Sequence, residues 1–492
     1  MTIADKLKQI KQSTDAIKAS ATALTGEVQT DLTSIAIILD TANPANATDI
    51  LNMLGYNSTN APELYNAFLN SLNKEEGASY NNDTTVLLPK LTLDENGAYK
   101  MRMEMFKDST ILTVPKGKYI VNGYIGYGSL FEGCTTLLWI PDLELLRSDS
   151  GTYSCSRMFI RCPSLRTVGN LKMKNCDNAY YMFQGCSNLE SIASLDTSSV
   201  TNTGLMFNGC TKLKSIPHFD TSNVTDMSSM FGSCSALESI PLLDTSNVIY
   251  MPGMFTSCSS LSTIPQLDTS NVTNMKSMFE TCSTLKSIPQ LNTSKVTNMN
   301  SIFKNCYELT SVPLLDYSSV TDMGNGFNYC RALTTAPDLN FESATNLTGL
   351  FSYSSELVTV GNLNTPNITS TSSMFNKCDK IEKIASLDVK SVTSTTSMFS
   401  YNSTSTLKYV VFKNLGQSSA TSWDFGNIMK WGVNDDKYPD ARQSVIDTLI
   451  TYSYDRASAG KSACTVRLNS AARALLTQDE IAQITAKGFT IS

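Results

Sequence analysis

The sequence predicts an α/β solenoid of 24-residue units, each giving a parallel strand and a short helical turn, with helices before it and a small α+β cap after it. Three observations predict this. First, the phenylalanine of a recurring Met-Phe pair or its equivalent stands at Phe131, Phe159, Phe183, Phe207, Phe231, Phe255, Phe279, Phe303, Phe327, Phe351, Phe375 and Phe399; every step is 24 residues except the first, which is 28. Second, a cysteine follows three residues later at Cys134, Cys162, Cys186, Cys210, Cys234, Cys258, Cys282, Cys306, Cys330 and Cys378, with Ser354 in its place once and Asn402 ending the row. Third, apolar residues of one unit fall about every third position: Val272, Met275, Met278/Phe279, Cys282, Leu285, Ile288 and Leu291. Neither a period of 3.6 nor one of 2 keeps that spacing, whereas a coil winding once per unit sends each apolar side chain to a common axis.

Within a unit the strand is expected at Leu285-Lys286-Ser287-Ile288, ended by Pro289, which lacks the N–H a ladder needs. Residues 273–280 are expected as a short helix or 3₁₀ turn, and Asp268-Thr269-Ser270 supply cap and turn chemistry. Twelve turns at a strand spacing of about 4.8 Å would make a curved rod roughly 60 Å long. Just after the strand leucine, Arg166, Glu190, Lys214 and Glu238 alternate in sign, as side chains set side by side by an in-register stack should.

Residues 1–78 read as a helical attachment or oligomerisation region. Ile3, Leu7, Ile10, Thr14, Ile17, Ala21, Leu24 and Val28 alternate spacings of four and three, a heptad seam whose isoleucines favour more than two strands, so a homo-trimer is expected. A second amphipathic helix is expected over 61–74. Residues 79–129 read as a β-rich N-terminal cap with turns at 94–97 and 115–117, and 130–405 as the solenoid. The C-terminal cap, 406–492, is expected to hold a strand at Leu407-x-x-Val410-x-Phe412, a helix over 440–452, a strand at 464–468 and a helix over 477–486 stopped by Gly488. Such caps cover the open ends of a stack.

A formal net charge of −6 and the lack of any Lys/Arg run argue against nucleic acid as a partner. No stretch reaches the roughly 18 apolar residues of a membrane span, and the first residues carry no apolar run of the secretory kind. A reducing compartment is therefore expected, with the 13 cysteines as core thiols rather than a disulfide framework.

The unit D-T-S-x-V-T-x-M-x-x-M-F-x-x-C-x-x-L-x-x-I-P-x-L closely resembles the leucine-rich repeats of BspA-like bacterial surface proteins over about residues 130–405. That resemblance implies a leucine-rich-repeat solenoid and adhesion to host proteins or to other cells. The ends are similar to those of bacteriophage tail or fibre proteins, through Ala441-Arg442-Gln443-Ser444, Leu475-Leu476 and residues 482–488.

No phosphate loop, nucleophile elbow or metalloprotease helix is present, and no enzyme activity or cofactor is expected. The only histidine, His218, is read as a surface or packing residue. The row Asp196, Asp220, Asp244, Asp268, Asn292, Asp316, Asn340, Asn364 and Asp388 is read as Asx turns, because asparagine replaces aspartate within it; calcium between stacked carboxylates is the alternative. The Met/Phe row is read as core. Trp423, Phe425 and Trp431 are the candidate binding surface, tryptophan being enriched at interface hot spots.

The expected function is a non-enzymatic bacteriophage virion protein, a tail, fibre or host-recognition component. It would be assembled in the bacterial cytoplasm, held to other virion proteins by its N-terminal helices, and would bind a host-surface protein or glycan. The alternatives are a bacterial surface adhesin and a head-decorating virion protein.

Overall fold

The structure, a computed structural model, describes residues 91–492 apart from 92, 112, 115–116, 122–125, 394–397, 400–405, 421, 426–430 and 435. The heptad seam (Ile3, Leu7, Ile10, Thr14, Ile17, Ala21, Leu24 and Val28), the helix expected over 61–74 and Asn402 lie outside the described residues. The chain divides into two compact units, one ending at Asn223 and the other starting at Val224.

In the first unit the strands Tyr99–Lys100, Gly117–Val121, Leu143–Arg147, Thr167–Lys172 and Ser191–Leu195 pair in parallel, each with the next. The register advances by one repeat per strand, as in Thr167↔Ser191 and Leu171↔Leu195. Rings stack in a row at centroid distances of 5.1–5.6 Å through Phe131, Phe159, Phe183 and Phe207. The row begins one turn earlier than the cysteine marker suggested: Phe106 stacks on Phe131 at 5.2 Å, and Ser109 stands where a cysteine would, 3.5 Å from the Cys134 sulfur. The 28-residue step does not disturb the rings. Its four extra residues fall between Glu144, paired 28 residues on with Lys172, and Ser154, paired 24 residues on with Asn178. There they form a loop in which Arg147 bonds Asp149 Oδ2 (3.1 Å) and the Thr152 carbonyl.

In the second unit the same ring row runs from Phe231 to Phe399 with spacings of 5.3–5.8 Å. Offset stacking of this kind adds about 0.5–1.5 kcal/mol per pair beyond burial. Val272, Met275, Met278, Phe279, Cys282 and Leu285 are fully buried, and Ile288 and Leu291 nearly so, which is the apolar set the spacing picked out.

The stretch expected as a short helix is not helical. Ser277 and Thr281 take left-handed backbone angles (φ 54° and 64°), and each breaks the helical path. The result is a series of turns in which the amides alternate. Met278, Glu280 and Cys282 donate back three residues, to Met275, Ser277 and Phe279. Met275, Ser277, Phe279 and Thr281 instead donate to Asn298, Asn300, Ile302 and Lys304 of the next turn, at 2.7–3.0 Å. An α-helix would consume every amide internally and leave none for the neighbour. Left-handed residues recur at both positions in turn after turn, as at Ser301 and Asn305.

The strand face is uneven, and proline sets where it forms. Continuous strands run through Val168-Gly169, Ile192-Ala193, Val360-Gly361 and Ile384-Ala385 (Thr167–Lys172, Ser191–Leu195, Thr359–Asn364 and Lys383–Asp388). Where proline holds the second of these positions the strand is split, as Thr335–Ala336 and Leu339–Asn340 around Pro337, or absent, as in the turns of Pro217, Pro241, Pro265, Pro289 and Pro313. The Leu285–Ile288 strand is accordingly not formed; in proline-free turns the strand starts two residues later and runs past the isoleucine. Where the residue after the proline is Gln or Asp, its side chain links the turns instead. Gln290 Nε2 donates to the Leu314 carbonyl (2.8 Å), and Asp338 Oδ1 accepts the amide of Asn362 (2.7 Å). In the first unit Asp142 takes the amide of Asn170 in the same way (2.8 Å).

The Asp/Asn row makes Asx turns except at Asn340 and Asn364, where Asn364 Nδ2 donates to Asn340 Oδ1 (2.7 Å): Asp268 Oδ1 accepts from the Ser270 amide (2.9 Å), and Asn292 Oδ1 from that of Ser294 (3.2 Å). Between them the buried hydroxyl of Thr269 donates to the Asn292 carbonyl of the next turn (2.8 Å). The chain closes on Tyr409–Lys413, then on a parallel sheet of Ser422–Asp424, Cys464–Arg467 and Phe489–Ile491 with helices Ala441–Ile446, Ser470–Ala474 and Gln478–Ala486. The helix expected over 440–452 widens into a π-turn at Asp447–Thr451, where Thr448 Oγ1 accepts the Phe412 amide (3.0 Å). The helix over 478–486 starts with a capping box of Thr477 and Glu480 and is stopped by Gly488 at φ 86°.

Candidate functional site

Trp423, Phe425 and Trp431 do not form an exposed surface. They are 1%, 2% and 0% exposed and make up the core of the C-terminal cap. Phe412 and Phe425 stack at 4.6 Å, Trp431 meets both rings edge-on, and its Nε1 donates to Ser444 Oγ (3.0 Å) and the Val410 carbonyl (3.2 Å). Burial of all three rings, with the Trp431 N–H satisfied inside, makes them packing residues, which is the correction to the sequence-based expectation. His218 is exposed.

The surface that stands out lies in the second unit. Two positions of the turn are almost always small or polar. One is the second left-handed position, held by Ser233, Ser257, Thr281 and Asn305. The other directly follows the cysteine, where Ser259 and Ser283 use their hydroxyls to bond the preceding turn (3.3 and 3.2 Å). On three successive turns these positions become Tyr307, Tyr329 with Arg331, and Tyr353.

Tyr329 and Tyr353 occupy the same left-handed position one turn apart (φ 61° and 63°). A bulky residue there is strained by about 1–2 kcal/mol, and such strain gathers at functional sites. Their rings lie 4.3 Å apart and nearly parallel, at 6°. Arg331 covers both neighbours, its Cζ 5.0 Å from the Tyr307 ring centre and 5.3 Å from that of Tyr329. Tyr307 and Tyr353 are 39% and 37% exposed, and Arg331 is exposed. Partial burial, with Tyr353 alongside, pushes the Tyr329 phenol up.

Nothing in the stack needs these four side chains, because the backbone bonds of their turns match those elsewhere: Tyr329 donates to Ser352 (2.8 Å) and Tyr353 to Asn376 (2.7 Å). A column-by-column reading of the 24-residue unit holds the signal, as aromatic residues in columns of serine. Reading charge in one outward row and tryptophans at the end missed it.

The cysteine row is structural. Burial pushes the thiols of Cys258, Cys282 and Cys306 well up, so they stay protonated and serve as donors. Among the described residues no group of three His, Cys, Asp or Glu is placed to hold a metal ion, and no helix is long and apolar enough to cross a membrane.

Leucine-bearing turns in parallel register, closed at the C-terminal end by a cap, define a solenoid of the leucine-rich-repeat class. The family model described as "Mycoplasma protein of unknown function, DUF285" matches residues 153–263, 237–338, 308–411 and 340–431. These stretches together span more than half of the chain, and the protein belongs to that family. Among solved structures it is similar to a leucine rich cell surface protein from Faecalibacterium prausnitzii (17% identity, 71% of this chain and 94% of that one, TM-score 0.34). It is also similar to a leucine-rich repeat protein from Bacteroides ovatus (18%, 66% and 92%, TM-score 0.33) and to the leucine rich repeat protein of T. pallidum (18%, 45% and 88%, TM-score 0.27). Comparison with curated protein sequences gives no match.

Proposed function

We propose that this protein is a non-enzymatic adhesion protein, whose solenoid serves as a stiff support and whose Tyr307, Tyr329, Arg331 and Tyr353 contact a protein or glycan on another surface. The observation that carries this reading is the pair of stacked tyrosines held in left-handed backbone at an exposed place where serine serves the stack equally well. Tyrosine and arginine are enriched at binding hot spots, tyrosine because it brings large contact area at little loss of rotamer freedom and arginine because it brings five donors in a fixed fork. The test is attachment of the labelled full chain to candidate host cells. A triple variant, Tyr329→Asn, Arg331→Gln and Tyr353→Asn, keeps left-handed-tolerant residues and should abolish attachment; unchanged attachment would sink the assignment.

A virion component is the second reading, and the heptad spacing of Ile3, Ile10, Ile17 and Leu24 favours it, since such a seam suits trimerisation and docking to other virion proteins. Light scattering on the full chain and on a variant with Ile10 and Ile17 changed to Asp tests the seam. Mass spectrometry of purified phage particles tests the location, and absence of the chain from every particle would remove it.

A further inference from the structure

Arg331 is exposed and lies over aromatic rings of two turns. Its Cζ lies over two tyrosine rings, at 5.0 and 5.3 Å, and among the described residues it makes no ion pair or side-chain hydrogen bond. A guanidinium over aromatic rings gains cation–π attraction and keeps its five N–H donors for another partner. Five donors in a fixed fork match a planar anion with two oxygens, and little rotamer freedom remains to be lost when it binds. In a chain of net charge −6, a cation left unpaired between aromatic rings is poised for an anion brought from outside.

Around that fork the phenols of Tyr307, Tyr329 and Tyr353 offer hydroxyls and exposed ring surface. Ser283, at the same position one turn before Tyr307, is too small to cover its ring. A peptide added as a further strand would need free backbone groups to pair with. Here the amides of Tyr329 and Tyr353 are spent on the next turn. A sugar needs only hydroxyl partners and an apolar ring surface for its C–H groups.

We propose that this patch binds a carboxylate-bearing saccharide, with the carboxylate forked by Arg331 and the sugar lying against Tyr307 and Tyr353. The proposal rests on the adhesion reading and names the ligand chemistry for the same site. Uronic and sialic acids both supply that chemistry.

The test is biolayer interferometry of the full chain on immobilised polygalacturonate, polysialate and the carboxyl-reduced form of each. Binding to at least one carboxylated polymer should exceed binding to its reduced form by about ten-fold or more, and the polymer preferred identifies the source. Arg331→Lys, which keeps the charge but loses the fork, should weaken that binding about ten-fold. Tyr353→Asn should weaken it while leaving the unfolding midpoint in place. Equal binding to the reduced polymers, no binding to either carboxylated polymer, or indifference to Arg331→Lys would overturn the proposal. If attachment to cells still depends on Arg331 while both polymers fail to compete, the saccharide is wrong and the adhesion reading stands. If attachment ignores Arg331 and the tyrosines altogether, both fall together.

Discussion

The thiol of Cys282 donates to the carbonyl oxygen of Phe255, one turn earlier, at 3.0 Å. The same oxygen also accepts the amide of Cys258, so both lone pairs are engaged. The bond recurs from Cys306 to Phe279 (3.1 Å), and where serine replaces cysteine, Ser354 Oγ makes it to Phe327 (2.7 Å). Cysteine stands in this row because it is small, apolar and a donor, and serine is its functional substitute. Cys282→Ser should therefore be mild, whereas Cys282→Ala should cost about 0.5–1.5 kcal/mol, the worth of one hydrogen bond to a carbonyl that keeps its other donor. Urea unfolding of the two variants checks this; equal destabilisation would remove the bond from the account.

Alkali should destabilise the protein in a defined direction. Burial pushes the thiols of Cys258, Cys282, Cys306, Cys330 and Cys378 above their ordinary value. In the unfolded chain they ionise near pH 8.5, so above that pH the unfolded state binds fewer protons than the folded one. Stability is thus complete below about pH 8.5 and falls as pH rises above it. A rise in stability between pH 8 and 10 would contradict this. In the same range the folded protein should leave these thiols unreacted with a disulfide reagent, and all 13 cysteines should react in guanidinium.

Amide exchange should follow proline. The amides of Thr359–Asn364 and Lys383–Asp388 lie in a parallel ladder, while the Pro289 turn replaces that ladder with side-chain bonds, from Gln266 to the Gln290 carbonyl and from Gln290 to the Leu314 carbonyl. Slow exchange is expected in the first two segments and fast exchange at residues 288–291. Gln290→Ala should then lose about 0.5–1.5 kcal/mol, and equal protection of both kinds of turn would refute the contrast.

Tyr353→Asn removes about 0.5–1.5 kcal/mol of ring stacking and a left-handed strain of about 1–2 kcal/mol. The two nearly cancel, so the unfolding midpoint in urea should move little. A large loss of stability would show that the tyrosine belongs to the scaffold after all.

The period and the core were legible because burial repeats: the residues at Val272, Met275, Phe279 and Leu285 must face the axis in every turn. The conformation between them was not. Ser277 and Thr281 look like helix-compatible polar residues, and only the need to send alternate amides to the next turn places them at positive φ. The start of the ring row was hidden because Ser109 replaces the cysteine marker beside Phe106. Trp423 and Trp431 misled because hot-spot enrichment and core packing use the same side chain, and only partners such as Ser444 separate the two. The tyrosine patch was visible only as a departure from its column.

The alternation of amides has a consequence for how such a protein changes over generations. Each described turn between Met275 and Lys304 offers its successor the same backbone donors and asks for the same acceptors, whatever its outward side chains. A whole turn can therefore be copied or deleted by recombination between like segments of the gene without creating an ill-fitting joint. The number of turns, and the distance separating one contact residue from another, become heritable quantities that change in discrete steps. Meanwhile the serine columns stay open to tyrosine or arginine, the strain at the left-handed position being offset by ring stacking.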